Sequence, residues 1–217
     1  MTMKLYCFGE SGNAYKAALA LQLSGLEWEP IYVDFFNGET RQERYLNEIN
    51  EMGEVPVLVD GDRRLSQSGA IQAYVTEKSG HFGGAPNERY DVLRWVLWDN
   101  HKLSSQAGMA RFLMNFLPPE KRPEPVIAFL QGRLKSAYRV LDGHLTGRDW
   151  IVGDGPTNAD LSCCGYLFYP EPFGFDRADW TNIDRWLANI EGLDGWKHPY
   201  ELMPGSPADR EPGKETK

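Results

Sequence analysis

The first eighty residues alternate short apolar runs with segments of helical periodicity. Residues 4–8 and 28–36 are rich in apolar, β-branched and aromatic side chains, which predicts two strands. Between them, residues 14–23 are rich in Ala and Leu and end near Gly25, which predicts a helix. A more polar helix is predicted over residues 42–50. This half of the chain therefore begins as β-α-β-α.

Two further short runs, residues 57–59 and 63–65, flank an Asp-Gly-Asp turn at 60–62. Because Asp-Gly between strand-forming residues is a strong hairpin signal, the two runs are predicted to pair as antiparallel strands. Pro56 directly precedes the first run, a position that suits a residue without a backbone N–H. A helix over residues 68–78 completes a predicted βαβαββα domain.

The remainder of the chain has the pattern of an all-helical domain. Helices are predicted over residues 87–116, 126–145, 159–168 and 183–190. Six of the seven tryptophans lie in this half, and their usual burial predicts a role in helix packing. Residues 80–86 contain the glycines and proline of a linker. Residues 204–217, rich in Pro, Gly and charge, are predicted to form a flexible tail.

Length and composition agree with two globular domains, α/β over residues 1–79 and all-α over residues 87–203. The chain has 217 residues, of which 41% are hydrophobic, and its net charge is −8. Nucleic acid is disfavoured as a partner because phosphate binding needs a basic surface. With three cysteines, no leader-like start and no apolar run long enough to span a bilayer, a reduced cytoplasmic protein without a membrane partner is expected.

The loop between the first predicted strand and helix contains the first candidate site, Ser11 with Asn13. Either residue is expected at or near the helix N-cap, where a serine satisfies free backbone N–H groups. A second interpretation is functional: the Ser11 hydroxyl donates a hydrogen bond to a thiolate that lies at the positive end of the helix. The segment alone favours the structural interpretation.

Cys7 is the alternative reactive group near this loop. It lies near the end of the first predicted strand, several residues before the helix dipole that could acidify a thiol. A buried, inert thiol is the better interpretation. The remaining cysteines and the four scattered histidines have no metal-ligand spacing and form no recognisable catalytic triad, so no metal site is predicted.

The second candidate site lies on either side of the predicted hairpin. Pro56 would leave the peptide groups of Val55 available to an extended ligand backbone, which is how a thiol-containing peptide such as glutathione is bound. After the hairpin, Ser68 begins a helix whose N-terminus can bind a carboxylate. Gln67 can pair with both the ammonium and the carboxylate of an α-amino acid. In contrast, Thr157 and Asp160 have the spacing of a capping box and are interpreted as structural.

In this order, the motifs resemble the cytosolic glutathione transferase family over residues 3–200. That family has a thioredoxin-like N-terminal domain followed by an all-helical domain. Its cis-proline, and the preceding residue whose backbone binds the cysteinyl part of glutathione, match Pro56 and Val55. Its Gln/Glu-Ser pair for the γ-glutamyl group matches Gln67 and Ser68.

Other motifs of the family match at both ends of the chain. Many bacterial members have Ser-x-Asn before the first helix, as Ser11 and Asn13 do here, and the family's Thr-x-x-Asp box matches Thr157 and Asp160. Tyr6 precedes the loop, so no tyrosine stands where the tyrosine-type classes have theirs. The resemblance is therefore to a bacterial serine-type or Ser/Asn-type member.

Glu54 departs from the family pattern. It replaces a lysine that in some classes neutralises the glycyl carboxylate of glutathione, so that carboxylate needs another partner. Arg41, Arg44 and Arg64 are the candidates.

The resemblance implies a transferase with glutathione as co-substrate, in which Ser11 and Asn13 stabilise the glutathione thiolate for attack on a small hydrophobic electrophile. By analogy, Trp98, His101 and Ser105 would contact that electrophile, although core packing is the more ordinary role of a tryptophan. A homodimer is implied as well. The alternatives are a glutathione-dependent disulfide reductase or peroxidase and a non-catalytic binding or regulatory protein, because one fold can host several functions.

Overall fold

The computed structural model describes residues 2–207. Within this range the chain divides into two compact units. The first unit runs to His81 and also takes in the segment from Asp194 onward, and the second is Phe82–Leu193.

A four-stranded mixed sheet forms the centre of the first unit. Its strands are β1 (Met3–Cys7), β2 (Trp28–Tyr32), β3 (Val57–Asp60) and β4 (Arg63–Ser66), in the order β2-β1-β3-β4. β2 is parallel to β1, whereas β3 is antiparallel to both β1 and β4. The predicted Asp-Gly hairpin is confirmed, since Asp60 pairs with Arg63 across the turn.

Three helices complete this sheet domain: α1 (Gly12–Leu23), α2 (Glu43–Glu48) and α3 (Ser68–Ser79). The element order confirms the predicted βαβαββα arrangement. The helix α1 is central, because Ala17 to Leu21 are fully buried, and it packs on α3 and the sheet. Met3, Leu5 and Cys7 are buried on alternate positions of β1, as expected for a strand with one face in the core.

One predicted strand is shorter than expected. Residues 28–36 were interpreted as a single strand, but β2 ends at Tyr32 and turns follow, in which the N–H of Phe35 bonds to the carbonyl of Val33. Phe35 stacks on Phe8 with ring centroids 4.8 Å apart. The aromatic side chains that suggested a longer strand therefore pack as a cluster at its end.

The second unit is helical throughout its regular structure. Its α-helices are α4 (Arg89–Trp98), α5 (Ser105–Arg111), α6 (Glu124–His144), α7 (Asn158–Cys163) and α8 (Thr181–Glu191). The predicted stretch 87–116 contains α4 and α5, joined and followed by π-helical turns at Asp99–Ser104 and Phe112–Phe116. The predicted helix 159–168 is shorter, because turns begin at Cys164 and continue through Gly165, a poor helix former.

The predicted capping box is confirmed at the start of α7. Asp160 is fully buried, and its carboxylate accepts from the N–H of Thr157 at 2.8 Å and from the Thr157 hydroxyl at 3.1 Å. The same carboxylate accepts from the N–H of Ile151 at 2.8 Å and the indole N–H of Trp186 at 2.9 Å. Burial raises the pKa of Asp160, and these four hydrogen bonds oppose the rise.

The segment from Asp194 onward differs from its prediction. Sequence analysis assigns residues up to 203 to the helical domain and residues from 204 to a flexible tail. The structure groups them with the first unit, where a short helix α9 (Pro199–Leu202) packs on α1. The Pro204 carbonyl accepts from the N–H of Gly9 at 2.6 Å, one of several contacts that connect this segment to the sheet domain across a sequence distance that no local pattern reveals. The rest of the predicted tail lies outside the described residues.

No helix within residues 2–207 is both long enough and apolar enough to cross a membrane.

Candidate functional site

The strand register brings three loops of the first unit to one end of the sheet. Tyr6 pairs with Val57, and Val57 pairs with Ser66 on its other side. Because β3 is antiparallel to both neighbours, the end of β1, the start of β3 and the end of β4 lie together. The loops that carry Ser11, Val55-Pro56 and Gln67-Ser68 all emerge there.

Ser11 is the N-cap of α1, as predicted, and Asn13 is the second residue of the helix. The turn begins with a hydrogen bond from the Ser11 N–H to the carbonyl of Phe8 at 3.0 Å. The Ser11 hydroxyl oxygen accepts from the N–H of Ala14 at 3.2 Å, and the side chain is only 7% exposed. Since a hydroxyl can also donate, the cap leaves its proton available for an acceptor. Asn13 is half-buried.

Cys7 is fully buried, as its interpretation as a structural thiol requires. Burial raises its pKa to about 12, with a hydrogen bond to the backbone of Ile31 opposing the rise. The thiol therefore stays protonated near neutral pH, and a protonated thiol is a poor nucleophile.

The loop before β3 is held by two side chains that donate hydrogen bonds to its backbone. The peptide bond between Val55 and Pro56 is cis, as the resemblance implies. The hydroxyl of Tyr45 and the side-chain amide of Asn50 both donate to the carbonyl of Glu54, at 2.9 and 3.0 Å. Burial raises the pKa of Tyr45, so its hydroxyl remains a neutral donor. These bonds fix the backbone that leads into Val55.

The N-terminus of α3 has no side-chain cap. Ser68 is its first residue and is 5% exposed, while the preceding Gln67 has a φ of 68°. A non-glycine residue seldom adopts this conformation, and such residues concentrate at functional sites. The uncapped N–H groups, at the positive end of a twelve-residue helix, can therefore bind an anion.

Glu54, the residue that departs from the family pattern, contacts Gln67. The side-chain amide of Gln67 donates to the Glu54 carboxylate at 3.1 Å. This contact was not predicted, because the two residues are brought together only by the β3–β4 hairpin. It leaves the Gln67 carbonyl oxygen as a possible acceptor for an ammonium group.

The three candidate arginines differ in their partners. Arg44 pairs with the carboxylate of Glu48 at 3.2 Å, and Arg64 donates to the backbone carbonyl of Glu48. Arg41 is exposed at the end of a short 3-10 helix, Glu39–Arg41, and within residues 2–207 the structure gives its side chain no ion pair. Arg41 is therefore the candidate that needs to break no contact to bind a carboxylate.

The predicted electrophile-side residues lie on one helical stretch of the second unit. Trp98 ends α4, is half-buried and lies 5.0 Å from the ring of Trp95, so it does pack against a neighbour. His101 is exposed in the π-helical turn. The Ser105 hydroxyl donates to the carbonyl of His101 at 3.0 Å.

A buried cation in the second unit was also missed by sequence reasoning. Arg111 is 1% exposed, pairs with Glu171 at 2.7 Å and lies 3.9 Å from the ring centroid of Tyr169. In the sequence it resembles any surface cation of a helix, and its partners come from a loop about sixty residues later. No local pattern could have identified it. Within residues 2–207, no group of three or more metal-ligating side chains is found.

Two family models match the chain. Residues 1–77 match the glutathione S-transferase N-terminal domain, and residues 106–194 match the glutathione S-transferase C-terminal domain. Glutathione S-transferase F10 of Arabidopsis thaliana is 29% identical over 197 residues, covering 85% of this chain and 90% of that protein. Disulfide-bond oxidoreductase YfcG of Escherichia coli is also 29% identical, over 191 residues, covering 84% of this chain and 87% of that protein.

A solved glutathione S-transferase structure is similar to this chain in both fold and sequence. A glutathione S-transferase from Xanthobacter autotrophicus has a TM-score of 0.83 and 30% identity, and the match covers 93% of this chain and 98% of that one.

Proposed function

Because the chain belongs to the glutathione S-transferase family, we propose that it is a serine-type transferase that joins the glutathione thiolate to a hydrophobic electrophile. The observation that carries this proposal is the Ser11 hydroxyl at the N-terminus of α1. It is a hydrogen-bond donor next to a positive helix end, at the end of the sheet from which the Val55-Pro56 and Gln67-Ser68 loops also emerge.

The energies involved are sufficient for thiolate stabilisation. A thiol with a pKa of ~8.5 must fall by about two units to be mostly ionised at neutral pH, which is ~2.7 kcal/mol. One hydrogen bond to a charged acceptor supplies about 1.5–3 kcal/mol, and a helix N-terminus adds about 0.3–1 kcal/mol. Ser11 and the α1 dipole therefore suffice without a metal or a histidine base, with Asn13 as a second polar group in the first turn.

Glutathione would lie extended along the loops at this end of the sheet. The backbone of Val55, before Pro56, would pair with the cysteinyl peptide groups. The γ-glutamyl carboxylate would bind the uncapped N–H groups at Ser68, and its ammonium the Gln67 carbonyl oxygen that the contact with Glu54 leaves available.

The glycyl carboxylate is assigned to Arg41. Its side chain is exposed, whereas Arg44 and Arg64 already contact Glu48. The substitution Arg41→Ala should weaken glutathione binding by calorimetry, while Arg44→Ala, which removes only a surface ion pair, should leave the dissociation constant unchanged. The reverse order would move the assignment to Arg44.

The electrophile would contact Trp98, His101 and Ser105 of the second unit. Trp98 supplies an aromatic surface, and His101 is exposed beside it. These three residues stand on analogy with the family, and their substitution should change KM for the electrophile and leave the affinity for glutathione unchanged.

The test of the main proposal is conjugation of glutathione to an aromatic halide by the purified protein. Calorimetry with glutathione at millimolar concentration should give a binding isotherm, and the conjugate should form at a rate proportional to protein concentration. Absence of both signals would overturn the proposal.

A second candidate function is glutathione-dependent disulfide reduction. Its support is the relative YfcG, a disulfide-bond oxidoreductase matched at the same identity as the plant transferase. Because burial holds the pKa of Cys7 near 12, such a reaction would also use the Ser11 and Asn13 loop rather than a protein thiolate. Rates of conjugation and of reduction of a small disulfide, measured side by side, distinguish the two.

We also infer that the protein is a cytoplasmic homodimer. Apolar side chains of α4 and α6 are solvent-exposed in the single chain, including Leu97 at 59% and Phe129 at 63%. Phe129 lines a groove of about 530 Å³ together with Lys102 and Arg133. Its two cations suit an otherwise acidic second copy, and exposed apolar patches mark protein interfaces. Sedimentation velocity should give the mass of two chains, and Phe129→Asp should reduce it to one.

A further inference from the structure

The segment from Lys197 to Gly205 returns to the turn that carries Ser11. We call this segment the C-terminal strap. The Tyr200 hydroxyl donates to the Glu10 carboxylate at 2.9 Å, and the Gly9 N–H donates to the Pro204 carbonyl at 2.6 Å. Both contacts are made within two residues of Ser11.

The backbone of the strap packs closely against the backbone of this turn. A Cβ atom on Gly9 would lie 3.2 Å from backbone atoms of both Pro204 and Gly205. Gly205 has a φ of +80°, and a Cβ there would lie 2.5 Å from the ring of Tyr32. The positive φ of Gly205 favours glycine there, and a side chain at Gly9 would push the turn and the strap apart by a few tenths of an ångström.

Glu10 is buried beneath these contacts. It is 4% exposed, although a glutamate so close to a loop is ordinarily solvated. A third contact lies one turn into α1, where the Tyr15 hydroxyl donates to the carbonyl of Lys197 at 3.0 Å. The strap thus holds the residues before Ser11 and the helix after it.

We propose that the C-terminal strap positions the Ser11 hydroxyl, with Glu10 and Tyr200 as positioning residues. Ser11 contacts neither of them through its hydroxyl, whose partner is the N–H of Ala14. The strap acts by fixing Gly9 and Glu10, and so sets the direction in which the hydroxyl points. Its consequence for the thiolate rests on the proposed function, whereas its effect on the turn does not.

The test compares two tyrosines of the first unit that make the same kind of bond. Tyr200→Phe removes the hydroxyl that contacts Glu10. Tyr74→Phe is the matched control, because the Tyr74 hydroxyl donates to the carboxylate of Asp60 at 2.6 Å on the β3–β4 hairpin. Both variants are made in the full chain and compared by chemical denaturation, thiolate absorbance of bound glutathione against pH, and steady-state kinetics.

In Tyr200→Phe, the pKa of the bound glutathione thiol should rise by about one unit, because a displaced donor no longer stabilises the charged form. The kcat should fall about tenfold, within the hundredfold that a misplacement of 1 Å can cost, while KM for glutathione stays within twofold. Tyr74→Phe should change neither the thiol pKa nor kcat. Equal changes in both variants would overturn the proposal.

Substitutions of Glu10 test the hydrogen bond with Tyr200 by changing its acceptor. Glu10→Ala should reproduce the shift in thiol pKa, and adding Tyr200→Phe to it should have no further effect, because the pair acts as one interaction. Glu10→Gln keeps an oxygen acceptor and should restore kcat to within about twofold of the wild type. Additive effects, or a Gln variant as impaired as the Ala variant, would contradict positioning.

Hydrogen exchange of the Ala14 amide gives a readout without glutathione, because that N–H reports the cap made by Ser11. Exchange should be at least about tenfold faster in Tyr200→Phe and unchanged in Tyr74→Phe. If the wild type binds no glutathione, the proposed function fails, and the exchange rates still decide whether the strap positions the turn. An unchanged exchange rate in Tyr200→Phe would overturn the proposal that the strap positions the Ser11 turn.

Discussion

At the start of α7, the Thr157 hydroxyl accepts from the N–H of Ala159 while the Asp160 carboxylate accepts from Thr157, and two more donors complete the network. At the start of α1, the Ser11 hydroxyl accepts from Ala14 alone, and no acidic residue lies in the first helical turn. Both are hydroxyl N-caps and both are buried. The hydrogen-bonding groups of the α7 cap all find partners within the protein. The hydroxyl proton of the α1 cap remains available to an acceptor outside the protein.

The difference gives a criterion by which a structural cap can be distinguished from the functional cap that we propose at Ser11. A capping box is a reciprocal pair, so it has little hydrogen-bonding capacity left for a ligand. A single-residue cap with no acidic partner stabilises its helix less but retains a proton to donate. The substitutions below test this contrast, beginning with the largest expected effect.

Asp160→Ala should lower the free energy of unfolding by about 3–5 kcal/mol, because it leaves the buried donors of Ile151, Thr157 and Trp186 without an acceptor. The measurement is chemical denaturation. Asp149→Ala is the control, since Asp149 forms only an exposed ion pair with Arg185 and should cost less than about 1 kcal/mol. Comparable losses in the two variants would mean that the α7 network is not a folding determinant.

Ser11→Ala should lower kcat/KM for conjugation about 100-fold, which corresponds to ~2.7 kcal/mol of transition-state stabilisation. Loss of the cap alone should cost about 1 kcal/mol of stability, so the protein remains folded by circular dichroism. Ser24→Ala removes a hydroxyl at the other end of α1, bonded to the carbonyl of Leu21, and should retain full activity. If Ser11→Ala retained activity, the α1 cap would be purely structural, like the α7 cap.

Ser68→Ala should weaken glutathione binding about tenfold by calorimetry, because in the proposed binding mode the hydroxyl adds to the N–H groups that would bind the γ-glutamyl carboxylate. Stability should change by less than about 0.5 kcal/mol, since no side-chain cap is lost at α3. A large loss of stability with unchanged affinity for glutathione would mean that Ser68 has a structural role, as Thr157 does, and does not bind the ligand.

Cys7→Ala should change activity by less than about twofold at any pH from 6 to 9. Burial raises the pKa of this thiol to about 12, so it carries no charge in that range and no limb of the pH profile can belong to it. The check is kcat/KM against pH for both proteins, together with the rate at which iodoacetamide modifies the wild type. A pH limb that disappears in the variant would make a thiol, not a hydroxyl, the reactive group.

Much of the fold was predictable because its signals are local. The Asp-Gly turn predicts the hairpin, and the Thr-x-x-Asp spacing predicts the start of α7. The Ser11 cap followed from a serine between a strand and a helix. Each of these depends on residues within four positions of one another, where sequence and geometry are directly related.

The unpredicted features depend on contacts between distant residues. The contact of Glu54 with Gln67 requires the hairpin, and the burial of Arg111 requires Glu171 and Tyr169. The attachment of residues 194–207 to the first unit joins Gly9 to Pro204 and Glu10 to Tyr200, residues about 190 positions apart that no local pattern relates. Hydrophobic periodicity reports which face of a helix is buried, but not which partner covers it.

The first unit is built from two separate stretches of the chain, and this has a consequence for biosynthesis. The turn before Ser11 can receive its contact with Pro204 only after Pro204 itself has left the ribosome, long after Gly9. At about 5–20 residues per second, that delay is on the order of ten seconds or more after Gly9 is made. The second unit is continuous in sequence and is complete by Leu193, so all of it is synthesised before the Ser11 turn can reach its final geometry.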